Sequence, residues 1–243
     1  MTLIYGHRGA KGEAPENTLK SFQQCLSHGV TRCELDLHLS ADNELMVIHD
    51  PTLKRTTGRR GKVVEHPAAE LVRIDARKGG PGHVQPCPIP KLEELFEKCP
   101  FEHWQLEVKS ASRTRAAQTV LAVLEVVERY GLLDRVTLTT GSRPVLEAAH
   151  RLAPQLRRGL VAESWSDALA LATEHGCHLL ALKKSLCTPE RLAQARAQGL
   201  HVSVWTVNRE RDMRRLIEMG VDSLITDFPG RAVAVLASLE PGA

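Results

Sequence analysis

Short apolar runs and amphipathic stretches alternate six times between Gln105 and the C-terminus, and this rhythm restricts the fold more than any other feature. The runs Gln105–Val108, Val136–Thr139, Arg158–Val161, Leu179–Leu182, Val202–Trp205 and Ser223–Thr226 read as buried strands. Helices are predicted at about Thr114–Tyr130, Arg143–Leu152, Trp165–His175, Pro189–Gln198, Arg209–Met219 and Gly230–Leu239. Gly131, Gly176, Gly199 and Gly220 fall just past helix ends, where a left-handed cap is favoured. Upstream, Leu3–Gly6 and Arg32–Leu39 read as two further strands. A helix with Leu19, Phe22 and Leu26 on one face follows the first, with Asn17 as its candidate N-cap, and a helix at Leu92–Cys99 follows the second. Eight strand–helix units in 243 residues predict a parallel sheet closed into a (β/α)8 TIM barrel. An open doubly wound sheet is the alternative, but no Gly-rich dinucleotide fingerprint supports it.

The rhythm breaks between residues 50 and 90. Pro51, Gly58, Gly61, Pro67, Gly79, Gly80, Pro81, Gly82, Pro86, Pro88 and Pro90 mark an irregular insertion with little expected core of its own. A stretch this long inside a compact domain usually serves a function. The expectation is one TIM-barrel domain over 1–243, with the insertion at about 50–90 capping the site after the second strand. Ahead of it, Ala41-Asp42-Asn43 reads as a turn, and Glu44–Ile48 as a short strand paired with its neighbour as a hairpin.

The second strand carries the first chemical signal. Cys33, Leu35, Leu37 and Leu39 alternate with Glu34, Asp36 and His38, so Glu34 and Asp36 point the same way. Two neighbouring carboxylates repel, and burying them together is costly without a cation or strong donors between them. A hard divalent cation is the simplest remedy. The bland alternative is an exposed strand face with two solvated acids.

Composition excludes several classes. With 42% hydrophobic and 25% charged residues the chain resembles an ordinary soluble protein. A net charge of +3 is too small to argue for nucleic acid, and no basic run or aromatic-spaced RNA motif is present. The basic cluster of Lys54, Arg55, Arg59, Arg60 and Lys62 reads as a solvated loop that could help attract an anion. No apolar run is long enough to span a bilayer, so no stable membrane anchor is expected. The six cysteines form no CxxC pair and read as free thiols. The first residues, Met1 to His7, enter a strand without a basic segment and apolar stretch, so a cytoplasmic location is expected.

In a (β/α)8 barrel the active site lies at the C-terminal ends of the strands. Those ends present His7 and Arg8, then Glu34 and Asp36 with His49 beyond the hairpin, then Glu107 and Lys109, then Trp205 and Asn208, and finally Thr226 and Asp227. Asp227 reads as the N-cap of the last helix. His38, Asp50 and Asn17 are candidates for supporting these groups. The remaining histidines, including His83, fall outside the strand ends and suit surface or packing roles.

His7-Arg8-Gly9, Pro15-Glu16-Asn17-Thr18, Glu34-Leu35-Asp36, His49-Asp50-Pro51-Thr52-Leu53, Thr56-Thr57-Gly58, Glu107-Val108-Lys109, Trp205-Thr206-Val207-Asn208 and Thr226-Asp227-Phe228-Pro229 together resemble the signature of the glycerophosphodiester phosphodiesterase family. The resemblance spans essentially the whole chain. It implies a small-molecule glycerophosphodiester substrate, hydrolysed to sn-glycerol 3-phosphate and an alcohol. It implies that Glu34, Asp36 and Glu107 bind one divalent cation, Mg2+ or Ca2+ with Mn2+ also suitable. It gives Arg8 and Lys109 the phosphate, Trp205 an apolar wall, and His7 and His49 the acid–base work. Residue chemistry agrees: carboxylates suit hard cations, the planar guanidinium suits phosphate, and histidine titrates near operating pH.

Two other functions compete. A phospholipase C-like or sphingomyelinase D-like phosphodiesterase would act on lipids or lysophospholipids. A non-catalytic phosphate-binding protein would need Arg8 but no histidine pair. The headgroup, the metal, the order of the histidines, the nucleophile and the oligomeric state are open at this level.

Overall fold

The computed structural model describes residues 2–82, 84–110 and 112–239, so His83 lies outside the described residues. Eight parallel strands close into a barrel: β1 (Leu3–His7), β2 (Arg32–Leu39), β4 (His103–Val108), β5 (Val136–Thr140), β6 (Arg157–Ala162), β7 (Leu179–Lys183), β8 (His201–Trp205) and β9 (Ser223–Thr226). β1 pairs with β9 on one side, Leu3 opposite Ser223. On the other it pairs with β2, His7 opposite Glu34, and this second pairing closes the barrel. The antiparallel strand β3 (Leu45–Val47) hangs on β2 as the expected hairpin, Leu37 opposite Val47.

The helices α1 (Leu19–Ser27), α4 (Leu92–Lys98), α5 (Arg113–Arg129), α6 (Arg143–Leu152), α7 (Ala168–Glu174), α8 (Pro189–Ala197), α9 (Glu210–Glu218) and α10 (Pro229–Ala237) follow the barrel strands in order. Most lie within a residue or two of the predicted ranges. α7 begins three residues late because Trp165 and Ser166 belong to the loop after β6. Gly131 and Gly220 follow helix ends at φ 64° and 81°, a region costly for a residue with a Cβ.

β2 shows why a barrel strand misleads when read alone. Cys33, Leu35 and Leu37 are fully buried toward the helices, while Glu34 and Asp36, on the opposite pleat, are also buried, at 5% and 0% exposure. The exposed-face alternative therefore fails: a barrel strand has no solvent side. The helix-facing core gathers Phe22, Phe101 and Trp104, with Trp104 and Phe101 ring centroids 4.8 Å apart, edge to face.

The 50–90 segment has more structure than its composition suggests. It contains α2 (Lys54–Thr57), a 3₁₀ turn (Val63–Glu65) and α3 (Ala68–Leu71). Leu53, Val63, Ala68, Leu71, Ile74, Ala76 and Ile89 pack with Met46 and Ile48 of the hairpin into a second apolar core. The expectation of little core is corrected. Widely spaced apolar residues between the Pro and Gly breaks converge only through tertiary folding, a pattern no local periodicity displays.

Candidate active site

β1 ends at His7, and the next residues leave the strand abruptly. Arg8 has φ 52° and Asn17 φ 56°, left-handed values that are uncommon outside glycine. Both residues serve the same carboxylate. Arg8 Nε lies 3.0 Å from Asp36 Oδ2, and Asn17 Nδ2 donates to that oxygen at 2.8 Å. Backbone strain of this kind is tolerated where the surroundings over-determine it. Asn17 is thus not the N-cap of α1. Thr18 is, accepting from the Ser21 N–H, because the Asn17 side chain is committed to Asp36.

Asp36 and Glu107 stand opposite each other across the β2–β4 pairing, and Glu34 lies two residues back on the same face. Ligand oxygens of Glu34, Asp36 and Glu107 all lie within 4.8 Å of one another, the one such acidic or His/Cys group found among the described residues. Lys109 Nζ stands 3.2 Å from Asp36 Oδ1 and 2.9 Å from Glu107 Oε1. Burial and the neighbouring Asp36 and Glu107 raise the Glu34 pKa well above the carboxylate range. Burial and Asp36 raise Glu107 in the same sense. Burial would also raise Asp36, but Arg8 and Lys109 outweigh it and hold Asp36 ionised. Asp36 Oδ1 is buried, with the Lys109 ammonium beside it as an ion pair rather than an aligned hydrogen bond. Three carboxylates this close, two of them with their charge disfavoured by burial and by each other, fit a hard divalent cation.

The two histidines are held alike. His7 Nδ1 bonds Asp227 Oδ1 at 2.5 Å, and His49 Nδ1 bonds Asp50 Oδ1 at 2.7 Å. A carboxylate can only accept, so each Nδ1 carries the proton and each Nε2 is left free. His7 Nε2 sits 3.9 Å from Glu34 Oε2. Burial lowers both histidine pKa values, and Arg8 adds to the effect. His38 Nε2 bonds the His49 carbonyl at 3.0 Å, which fixes the backbone there.

His7, Arg8, Glu34, His49, Glu107, Lys109 and Trp205 line one enclosed cavity of about 120 Å³, with Val161, Ala181 and Ile225 on its apolar side. Asp36 sits beneath it, completely buried. Every residue singled out for the site in the sequence therefore meets at this mouth. An open groove of about 700 Å³ shares His49, Glu107 and Lys109 and runs past Leu39, Pro51, Val64 and Val108 to Arg115.

Two further assignments change. Asp227 does not cap α10, whose cap position is Phe228; it accepts from Asn208 Nδ2 at 2.6 Å and binds His7. Arg55 is not simply solvated, since it bonds both Glu16 and Asp50. Asp227 stood in a motif and Arg55 only in a basic cluster, and neither spacing nor periodicity indicates a partner so distant in the chain.

Known proteins share this architecture. The glycerophosphoryl diester phosphodiesterase family matches residues 7–231. The chain belongs to this family. It is accordingly an enzyme of the phosphoric diester hydrolase class. It is 32% identical over 97% of its length to a glycerophosphodiester phosphodiesterase of Bacillus altitudinis, covering 98% of that protein. It is 34% identical over 97% of its length to YqiK of Bacillus subtilis, an uncharacterized protein, covering 99% of it. Its fold is similar to that of an Oleispira antarctica phosphodiesterase solved with the product sn-glycerol-3-phosphate: TM-score 0.87, 26% identity, 98% of this chain and 97% of the other. Among the described residues, no helix is long and apolar enough to cross a membrane.

Proposed function

We propose that this enzyme hydrolyses glycerophosphodiesters to sn-glycerol 3-phosphate and an alcohol, with His7 and His49 as the acid–base pair. The observation that carries the reading is the shared cavity. Both imidazoles open onto the same small space as Arg8, Lys109 and the acidic cluster. Glu34, Asp36 and Glu107 would hold one divalent cation, Mg2+, Ca2+ or Mn2+, which when bound polarises the phosphodiester and offsets charge on its oxygens. Arg8 and Lys109 supply further positive charge for the phosphate, and Asp36 holds both in place. Each histidine lines the cavity with its Nδ1 engaged by a carboxylate, which leaves Nε2 for the proton transfers. One draws the proton from the attacking oxygen and the other returns a proton to the departing alcohol. Their lowered pKa values suit the base role and make the protonated partner a strong acid.

The cavities divide the substrate. Glycerol phosphate, common to all such substrates, matches the enclosed space of about 120 Å³, with Trp205, Val161 and Ile225 against its carbons. The variable alcohol takes the groove of about 700 Å³. Leu39, Pro51, Val64 and Val108 along that groove favour a second reading, a lysophospholipid substrate whose chain lies against them. All six cysteines are free thiols, in keeping with the reducing cytoplasm.

The test is turnover of glycerophosphocholine against lysophosphatidylcholine, following glycerol 3-phosphate or choline release, with EDTA and then with each cation restored. Release of glycerol 3-phosphate that EDTA abolishes and a cation restores supports the reading. Faster turnover of the lysolipid selects the second. Turnover of neither, with cation present and across other headgroups, sinks both.

A further inference from the structure

A run of hydrogen bonds joins the two sides of the cavity through a residue that does not line it. Arg8 Nη1 donates to Glu16 Oε1 at 2.7 Å. Arg55 Nη1 and Nη2 donate to the two Glu16 oxygens, both at 2.8 Å. Arg55 Nε and Nη2 donate to the two Asp50 oxygens at 2.8 and 3.0 Å. Asp50 Oδ1 then accepts from His49 Nδ1 at 2.7 Å. We propose that Arg55 is a positioning residue for the phosphodiesterase reaction, fixing Asp50 so that Asp50 holds the His49 imidazole toward the cavity; this rests on the acid–base role given to His49 above.

Three observations support it. First, the Arg55 donors are spent. Four N–H···O bonds in two bidentate pairs occupy its fork, so it has little left to offer a phosphate. Second, the His49 side chain is a third exposed and makes no hydrogen bond among the described residues except that to Asp50. Among the described residues the Asp50 carboxylate in turn has no partners but His49 and Arg55. Without Arg55 both side chains would sit on a loop with nothing to fix their rotamers. Third, Glu16 is a firm anchor. It is 9% exposed, follows β1, and is tied to Arg8 from below. Arg55 thus clamps the start of the 50–90 segment to the barrel. Among the described residues, Arg59 and Arg60 make no such side-chain contacts with Glu16 or Asp50, which distinguishes Arg55 within the basic cluster. A lysine could not reproduce two bidentate contacts.

The experiment pairs kinetics with imidazole NMR on the full chain. Arg55→Met is expected to lower kcat for glycerophosphocholine on the order of 10- to 100-fold while KM changes less than about 3-fold. Arg55→Lys should move the same way and keeps a cation if the methionine variant folds poorly. In a His49→Ala background, Arg55→Met should add less than about 2-fold, because the group it positions is gone. Long-range proton–nitrogen spectra should show His49 as a single Nδ1–H tautomer in the parent and a mixture or broadened signal in both Arg55 variants. Arg59→Met should change none of these readouts. An unchanged His49 signal in the Arg55 variants overturns the proposal whatever the turnover, and so does an undiminished kcat effect in the His49→Ala background. A rise in KM with kcat intact would make Arg55 a substrate contact and overturn it as well. If the parent protein turns over no glycerophosphodiester, the activity reading fails, while the NMR result still decides the positioning role.

Discussion

His7 and Asp227 stand 220 residues apart in the chain and meet at 2.5 Å, Nδ1 to Oδ1. The β1–β9 pairing makes the contact, since Gly6 lies opposite Thr226 and His7 and Asp227 are the next residues on the two sides. Asn208 steadies Asp227 from the other side, donating to Oδ2 at 2.6 Å and accepting from the Asp227 N–H at 3.0 Å. The contact fixes the His7 tautomer and leaves its Nε2 free.

Asp227→Asn should therefore cost more than a lost hydrogen bond. An amide can offer its NH₂ to Nδ1 and drive the ring to the other tautomer. Steady-state kinetics should show kcat down by at least about 100-fold with substrate affinity largely kept. A kcat within a few-fold of the parent would remove Asp227 from the machinery.

Glu34 predicts an unusual stability response. Burial and neighbouring carboxylates already disfavour its charge. Glu34→Gln should raise the melting temperature of the EDTA-treated protein and abolish its rise on adding cation. For the parent, cation at about 100 times Kd should add about 2.7 kcal/mol of stability. A cation-induced shift that survives in Glu34→Gln would be evidence against Glu34 as a ligand.

Glu16 supplies a pH dependence with a definite sign. Burial alone would raise its pKa, but the bonds from Arg55 and Arg8 pull it down to about 2 from 4.5. Between those values the unfolded chain binds the proton and the folded one does not. The contribution is fully present above pH 4.5 and is lost as pH falls toward 2. It is on the order of 3 kcal/mol. Denaturant midpoints against pH should show this acid loss in the parent and a flatter curve in Glu16→Gln.

Arg158 tests stability away from the mouth. Its buried guanidinium donates to the carbonyls of Ala153, Pro154, Leu156, His175 and Gly176, with no carboxylate partner in those bonds. Arg158→Met would remove all of these bonds at once, although the His175 carbonyl keeps His150 and the Ala153 carbonyl keeps the Leu156 N–H. Stability should fall by about 2–3 kcal/mol in urea titration, while kcat at low temperature stays at the parent value. A loss of kcat in the folded variant would show that the segment it ties together reaches the active site.

Strand–helix alternation, the helix-ending glycines and the strand-end residues His7, Glu34, Asp36, Glu107 and Trp205 were readable because each depends on local period or position in a repeating unit. Barrel topology then sends every strand end to one mouth, so residues from His7 to Trp205 could be grouped without coordinates. Local pattern stopped at partners. Asn17 and Asp227 both read as helix caps because Asn and Asp favour that position, yet tertiary contacts with Asp36 and His7 claim both side chains. The second apolar core of the 50–90 segment was hidden for a related reason, its members being too unevenly spaced to show a period. The sequence alone thus determined the barrel and the residues crowded at its mouth, since periodicity and strand ends are properties of a chain. Which carboxylate holds which imidazole, and that Arg55 links Asp50 to Glu16, was decided only when strand closure and loop packing brought residues distant in the chain within hydrogen-bond reach.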